Sequence, residues 1–123
     1  MSLTVAQIRC VLAILALTRM EEEVASKNIA KLMGITRPSV HKMLDVLVSK
    51  GVLEKEHYGT AKLTERGIEL AERLESSKER LLILFSKQFG LSPDESSAAA
   101  TLLMSGLSEE RLNRLECAPI DHR

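Results

Sequence analysis

The sequence predicts a mostly α-helical fold with one short two-strand hairpin, and three observations predict it. Apolar residues recur at helical spacing along most of the 123 residues. Three aromatics and no Trp leave the core to Leu, Ile, Val, Ala and Met, which suit helices better than a sheet sandwich. In one place only, just after Gly51, does the period change to that of short strands. With 45% apolar residues in one domain's length of chain, neither a disordered protein nor a multidomain enzyme is expected.

The first helix runs from Thr4 through Val5, Ile8, Val11, Leu12 and Leu15 and fades at the acidic run Glu21, Glu22, Glu23. Ser26 is expected to cap a short second helix through Met33, with Gly34 as its left-handed stop. Thr36 caps a third, with Pro38 in the first turn, where its missing amide costs little. Val40, Met43, Leu44 and Leu47 form its apolar face, and Gly51 ends it. Two helices joined by Gly34-Ile35-Thr36 make a helix-turn-helix. Val52 to Glu56 and Thr60 to Leu63 read as strands around His57-Tyr58-Gly59, a small wing.

Thr64-Glu65 opens a long fourth helix, whose stripe of Ile68, Leu70, Leu74, Leu81, Leu84 and Phe85 continues to Phe89 before Gly90. Ser92-Pro93-Asp94-Glu95 is a capping box that starts a fifth helix to about Met104, and Ser108-Glu109-Glu110 starts a sixth. The expected organisation is a winged helix-turn-helix domain over 1–66, a helical region over 67–117 that opens with the long fourth helix, and a flexible tail over 118–123.

Seventeen Lys+Arg balance seventeen Asp+Glu, yet the balance is uneven along the chain. Residues 26–66 hold eight cations and four anions, a surplus of four positive charges that coincides with the winged helix. Duplex DNA is a dense row of phosphates, and cations gain affinity there by displacing condensed counterions. Sequence preference has to come from the exposed start of the recognition helix: Thr36, Arg37, Ser39, His41 and Lys42, with Pro38 placed to touch a thymine methyl. Arg37 is the leading candidate for a guanine, a phosphate contact being the alternative. Lys55, Tyr58 and Lys62 would meet the backbone from the wing.

Competing readings are weaker. The charges can be read as ordinary solvation of small helices, and a winged helix can serve protein interaction without meeting DNA. His41, His57 and His122 fall in a recognition helix, a turn and a tail, without a phosphate loop, nucleophile elbow or paired Cys motif, so no enzyme is expected. Cys10 reads as a small core residue, and Cys117 as the more accessible thiol. No stretch reaches the ~20 apolar residues of a membrane span. The amino terminus lacks a secretory lead, so a reduced, cytoplasmic protein is expected.

Residues 29–70, IAKLMGITRPSVHKMLDVLVSKGVLEKEHYGTAKLTERGIEL, resemble the DNA-binding half of the diphtheria-toxin-repressor family of iron- and manganese-dependent repressors. The pieces that carry the resemblance are P-S-V in the recognition helix, K-G-V-L leading into the wing and L-T-x-x-G leading out. GIELAERLESSKERLLILFSKQFGL is similar to that family's linker helix, and SPDESSAAATLLMSGLSEERLNRLE to its dimer-forming helical pair. L-T-x-x-G also occurs in regulators of the multiple-antibiotic-resistance type, which sense small molecules between helices and form the alternative reading. The resemblance implies a homodimeric repressor that reads a near-palindromic operator. The longer family members append a barrel domain, for which 123 residues leave no room.

The departures bear on mechanism. Positions at which the family carries metal ligands are occupied by Ala6, Arg9, Lys78, Ala98, Thr101 and Leu102. Fe²⁺ and Mn²⁺ require carboxylate, imidazole or thiolate donors. The expectation is therefore a metal-independent relative with no cofactor and an unknown effector. Arg9 and Lys78 would leave a cationic spot, to be bridged by Glu72, Glu75 or Glu79, solvated, or filled by a soluble anion.

Overall fold

In a computed structural model, residues 3–56 and 59–114 are described. Six helices and one small sheet follow in the order α1 (Val5–Arg19), α2 (Ser26–Met33), α3 (Arg37–Ser49), β1 (Leu53–Lys55), β2 (Ala61–Leu63), α4 (Glu65–Phe89), α5 (Pro93–Gly106) and α6 (Glu109–Arg114). The chain is mostly helical with a two-strand wing, as its sequence predicts. Two units can be distinguished, Arg9–Glu72 and the combination of Met1–Ile8 with Arg73–Arg123.

α1 opens with a reciprocal cap that the sequence reading did not single out. Thr4 Oγ1 accepts from the Gln7 amide at 3.1 Å, and Gln7 Oε1 accepts from the Thr4 amide at 3.1 Å. This is the Thr-x-x-Gln form of a capping box, which satisfies two otherwise orphan donors. From Cys10 to Leu17 the helix is buried on most of its circumference, so it serves as the central element of its unit.

α2 starts differently from expectation. Ser26 is its first residue and not its cap; Ala25 stands at the cap position, extended, with no side-chain bond. The reason lies in the sheet. Ala25 bridges Thr60, and the Ala61 amide donates to the Val24 carbonyl at 2.9 Å, so residues 24–25 add a short third rung to the wing. The Ala25 carbonyl then takes the amides of Asn28 and Ile29, both at 3.0 Å, and the helix begins at once. Gly34 ends α2 at φ 69°, where a side chain would be strained, and its amide donates to Ala30.

Thr36 caps α3 by accepting from the Ser39 amide at 3.3 Å, with Pro38 in the first turn. Such a cap is worth about 1 kcal/mol. Val40, Leu44 and Leu47 are buried at spacings of four and three, and Met43 is half-buried. β1 and β2 pair antiparallel with Leu53 opposite Leu63, Glu54 opposite Lys62 and Lys55 opposite Ala61. Leu53, Ala61 and Leu63 face the core; Glu54 and Lys62 share the opposite face.

The L-T-x-x-G segment has a steric explanation. Thr64 Oγ1 donates to the Gly51 carbonyl at 2.6 Å and accepts from the Gly67 amide at 3.0 Å, tying the start of α4 to the chain that enters the wing. At Gly67 a Cβ would lie 2.0 Å from the Val52 carbonyl oxygen, so only glycine fits. That approach sets the rotation of α4. Gly67, Leu70 and Ala71 are turned inward, and Ile68, one step round the helix, is 43% exposed. The expected stripe is corrected accordingly at Ile68. Leu84 and Phe85 are half-buried and Phe89 is exposed, so the stripe also weakens toward its end.

In the other unit, Leu74, Ser77 and Leu81 of α4 are buried, as are Ser96, Ala100, Thr101 and Met104 of α5 and Leu112 of α6. The Ser92–Glu95 capping box forms in full, with bonds of 2.9 and 3.2 Å. Arg73 and Glu109 pair at 3.2 Å. The tail over 118–123, with Cys117 and His122, lies outside the described residues, as does His57.

Candidate nucleic-acid interface

The start of α3 presents its first side chains to solvent because its cap holds them there. Thr36 turns its hydroxyl inward on the Ser39 amide and donates to Ser39 Oγ at 2.9 Å, which orders both side chains. Arg37, Pro38, Ser39, His41 and Lys42 are all exposed. Among the described residues, Arg37 and Lys42 have neither an ion-pair nor a hydrogen-bond partner. The N-terminal end of a helix also carries about half a positive charge.

The wing lies in the same unit, Arg9–Glu72. Its two lysines point to opposite faces, as the register requires. Lys55 shares a face with Leu53 and reaches Asp45 of α3, Nζ to Oδ1 at 2.6 Å; Lys62 meets its cross-strand neighbour Glu54 at 3.6 Å. The hydrogen bond and charge of Lys55 hold the Asp45 carboxyl below its ordinary range. A cleft of about 120 Å³ separates α3 from the wing, lined by His41, Leu44, Lys55, Glu56, Gly59, Thr60 and Ala61. Tyr58 lies outside the described residues.

The sequence reading counted Lys55 and Lys62 as cations for phosphate; both are already paired with carboxylates. Asp45 enters that charge count only as one of four anions, without a partner. The signal was present, because Asp45 follows His41 by one helical turn and so shares the face of a proposed contact residue.

The positions matched to metal ligands were tested by their donors. Arg9 Nη2 donates to the Met33 carbonyl at 3.2 Å, and Thr101 Oγ1 donates to the Ser97 carbonyl at 2.8 Å. Ala6, Ala98 and Leu102 are exposed and apolar, and Lys78 is a half-buried cation. No carboxylate, imidazole or thiolate stands among the six, so this set does not fit Fe²⁺ or Mn²⁺. Among the described residues no group of three His, Cys, Asp or Glu could hold a metal.

Comparison with known proteins bears on the whole arrangement. Residues 10–57 match the IclR helix-turn-helix domain, an assignment that the sequence reading did not name. Over 93 residues the chain is 31% identical to an uncharacterized HTH-type transcriptional regulator of Methanocaldococcus jannaschii, MJ0568, covering 76% of this chain and 74% of that one. The chain belongs to the HTH-type transcriptional regulators. Among solved structures the regulator is similar to the manganese regulator SloR, with a TM-score of 0.76 at 23% identity over 92% of its length. It is also similar to the T. acidophilum IdeR, with a TM-score of 0.63 at 24% identity over 93%. These two likenesses concern the fold. The regulator spans about half the length of both, 54% and 53%. Among the described residues no helix is long and apolar enough to cross a membrane.

Proposed function

We infer that the regulator binds double-stranded DNA as a homodimer, reads a near-palindromic operator with α3, and represses transcription without a metal cofactor. The observation that carries the reading is the capped start of α3, which exposes Thr36, Arg37, Pro38, Ser39, His41 and Lys42 in the unit that holds the wing. Arg37 is the residue assigned to a guanine edge, and Lys42 to phosphate. Lys55, Tyr58 and Lys62 meet the backbone from the wing, the two lysines exchanging their carboxylate partners for phosphates.

Homodimerisation is supported by apolar side chains left exposed in α4 and α5: Ile83, Phe89, Leu102 and Leu103. A two-fold dimer would set two copies of α3 about one DNA turn apart. Metal independence rests on the donor chemistry of Ala6, Arg9, Lys78, Ala98, Thr101 and Leu102. On this reading the regulator shares a fold with metal-dependent repressors and is controlled by an effector yet to be assigned.

The test is a fluorescence-anisotropy titration of a random 30-bp duplex pool at two salt concentrations, each with chelator and with added Mn²⁺. Salt-steep binding that is the same with and without metal is expected. Binding only with Mn²⁺ would overturn metal independence, and salt-insensitive or absent binding would overturn the DNA reading in favour of a protein-interaction module.

A further inference from the structure

Asp45 is the only carboxylate of α3, and it stands one turn beyond His41 on a helix assigned to read DNA. A lone anion there repels phosphate. Its charge is met by Lys55, which crosses from β1 to within 2.6 Å of Oδ1, with both side chains more than half exposed, 62% and 63%. The wing register permits this contact: period two puts Lys55 on the face of Leu53, which looks toward the helices. The pair is therefore a surface contact of modest strength, open to exchange.

We propose that Asp45 is a specificity determinant that withholds Lys55 from DNA until α3 is seated on its operator. The proposal rests on the DNA reading above. A free lysine entering the phosphate field releases a condensed counterion, which is the source of non-specific affinity. A lysine already held by a carboxylate carries no such gain, because breaking its pair leaves Asp45 to collect a cation from solution. Random duplex thus gains little from Lys55. On the operator, base contacts by α3 hold a phosphate beside the wing long enough for the exchange, and the lysine then counts toward the specific complex.

The test compares wild type, Asp45→Asn, Lys55→Met and the double variant by anisotropy, on random duplex and on a duplex enriched from the pool by wild-type selection. Thermal melts establish that each variant is folded. Asp45→Asn is expected to bind random duplex more tightly at low salt. A fourfold rise in salt then costs it about 3.5 times more affinity than wild type, the effect of one added phosphate contact. The ratio between selected and random duplex narrows correspondingly. In the Lys55→Met background the same substitution is expected to give only the smaller rise that relief of repulsion brings, without the added phosphate contact in the salt dependence. A rise as large without Lys55 as with it would mark Asp45 as a general repulsive charge and overturn the proposal, as would an Asp45→Asn variant indistinguishable from wild type. Wild type that binds no duplex in a salt-dependent way would overturn the DNA reading itself, and this inference with it.

Discussion

Arg9 of α1 donates through Nη2 to the carbonyl of Met33, the last residue of α2, at 3.2 Å. A helix ends with carbonyls that lack intrahelical partners and with about half a negative charge, so a guanidinium there is favourable on both counts. The bond runs to the end of α2, beside the Gly34 turn that leads into α3.

Arg9→Met is therefore expected to destabilise the protein by about 1.5 kcal/mol, the low end for a hydrogen bond made by a charged donor, because the Arg9 side chain is exposed. Urea unfolding measures it. Mn²⁺ is expected to leave the midpoints of wild type and variant where they are; a Mn²⁺-dependent rise in both would show that a metal is held elsewhere.

Gly67→Ala provides a test of sign. Helix propensity alone favours alanine by about 1 kcal/mol. The 2.0 Å approach to the Val52 carbonyl predicts the reverse, a loss of about 3 kcal/mol, because backbone gives way less readily than a side chain. A thermal melt decides between them.

The Ser92 amide and hydroxyl hold the Glu95 carboxyl below its ordinary range by hydrogen bonding to it. A carboxyl with a lowered folded pKa adds stability above its unfolded value of about 4.5 and loses it as pH falls through the folded value. Glu95→Ala is thus expected to be less stable than wild type at pH 7, with the gap narrowing as pH falls below 4.5. Urea midpoints at pH 7 and pH 3 give the comparison.

Burial pushes the Cys10 thiol up to about 11. In a Cys117→Ser background, an aromatic disulfide reagent at pH 8 is expected to react with no thiol until the protein is denatured. Rapid labelling of the native protein would mean that α1 opens readily.

Much of this architecture was legible in the sequence because it is written in local chemistry. Gly34, the Thr36 cap, Pro38 and the Ser92–Glu95 box each act within four residues, so spacing alone locates them. What the reading missed is long-range. The Ala25–Thr60 bridge, which moved the start of α2, joins residues 35 positions apart with no periodicity to announce it. Lys55 and Lys62 were counted as cations, but their partners depend on strand register and on the facing helix. Ile68 matched the apolar spacing of α4, and only the pressure of Gly67 on Val52 turns it outward.

The rung between residues 24–25 and 60–61 gives β2 a neighbour on each side. On one side the Glu56 amide closes on the Thr60 carbonyl at 2.8 Å; on the other the Ala61 amide is held by Val24. The base of the wing is consequently clamped twice. A change that shifts β2 is therefore passed at once to β1 and to the chain that enters α2.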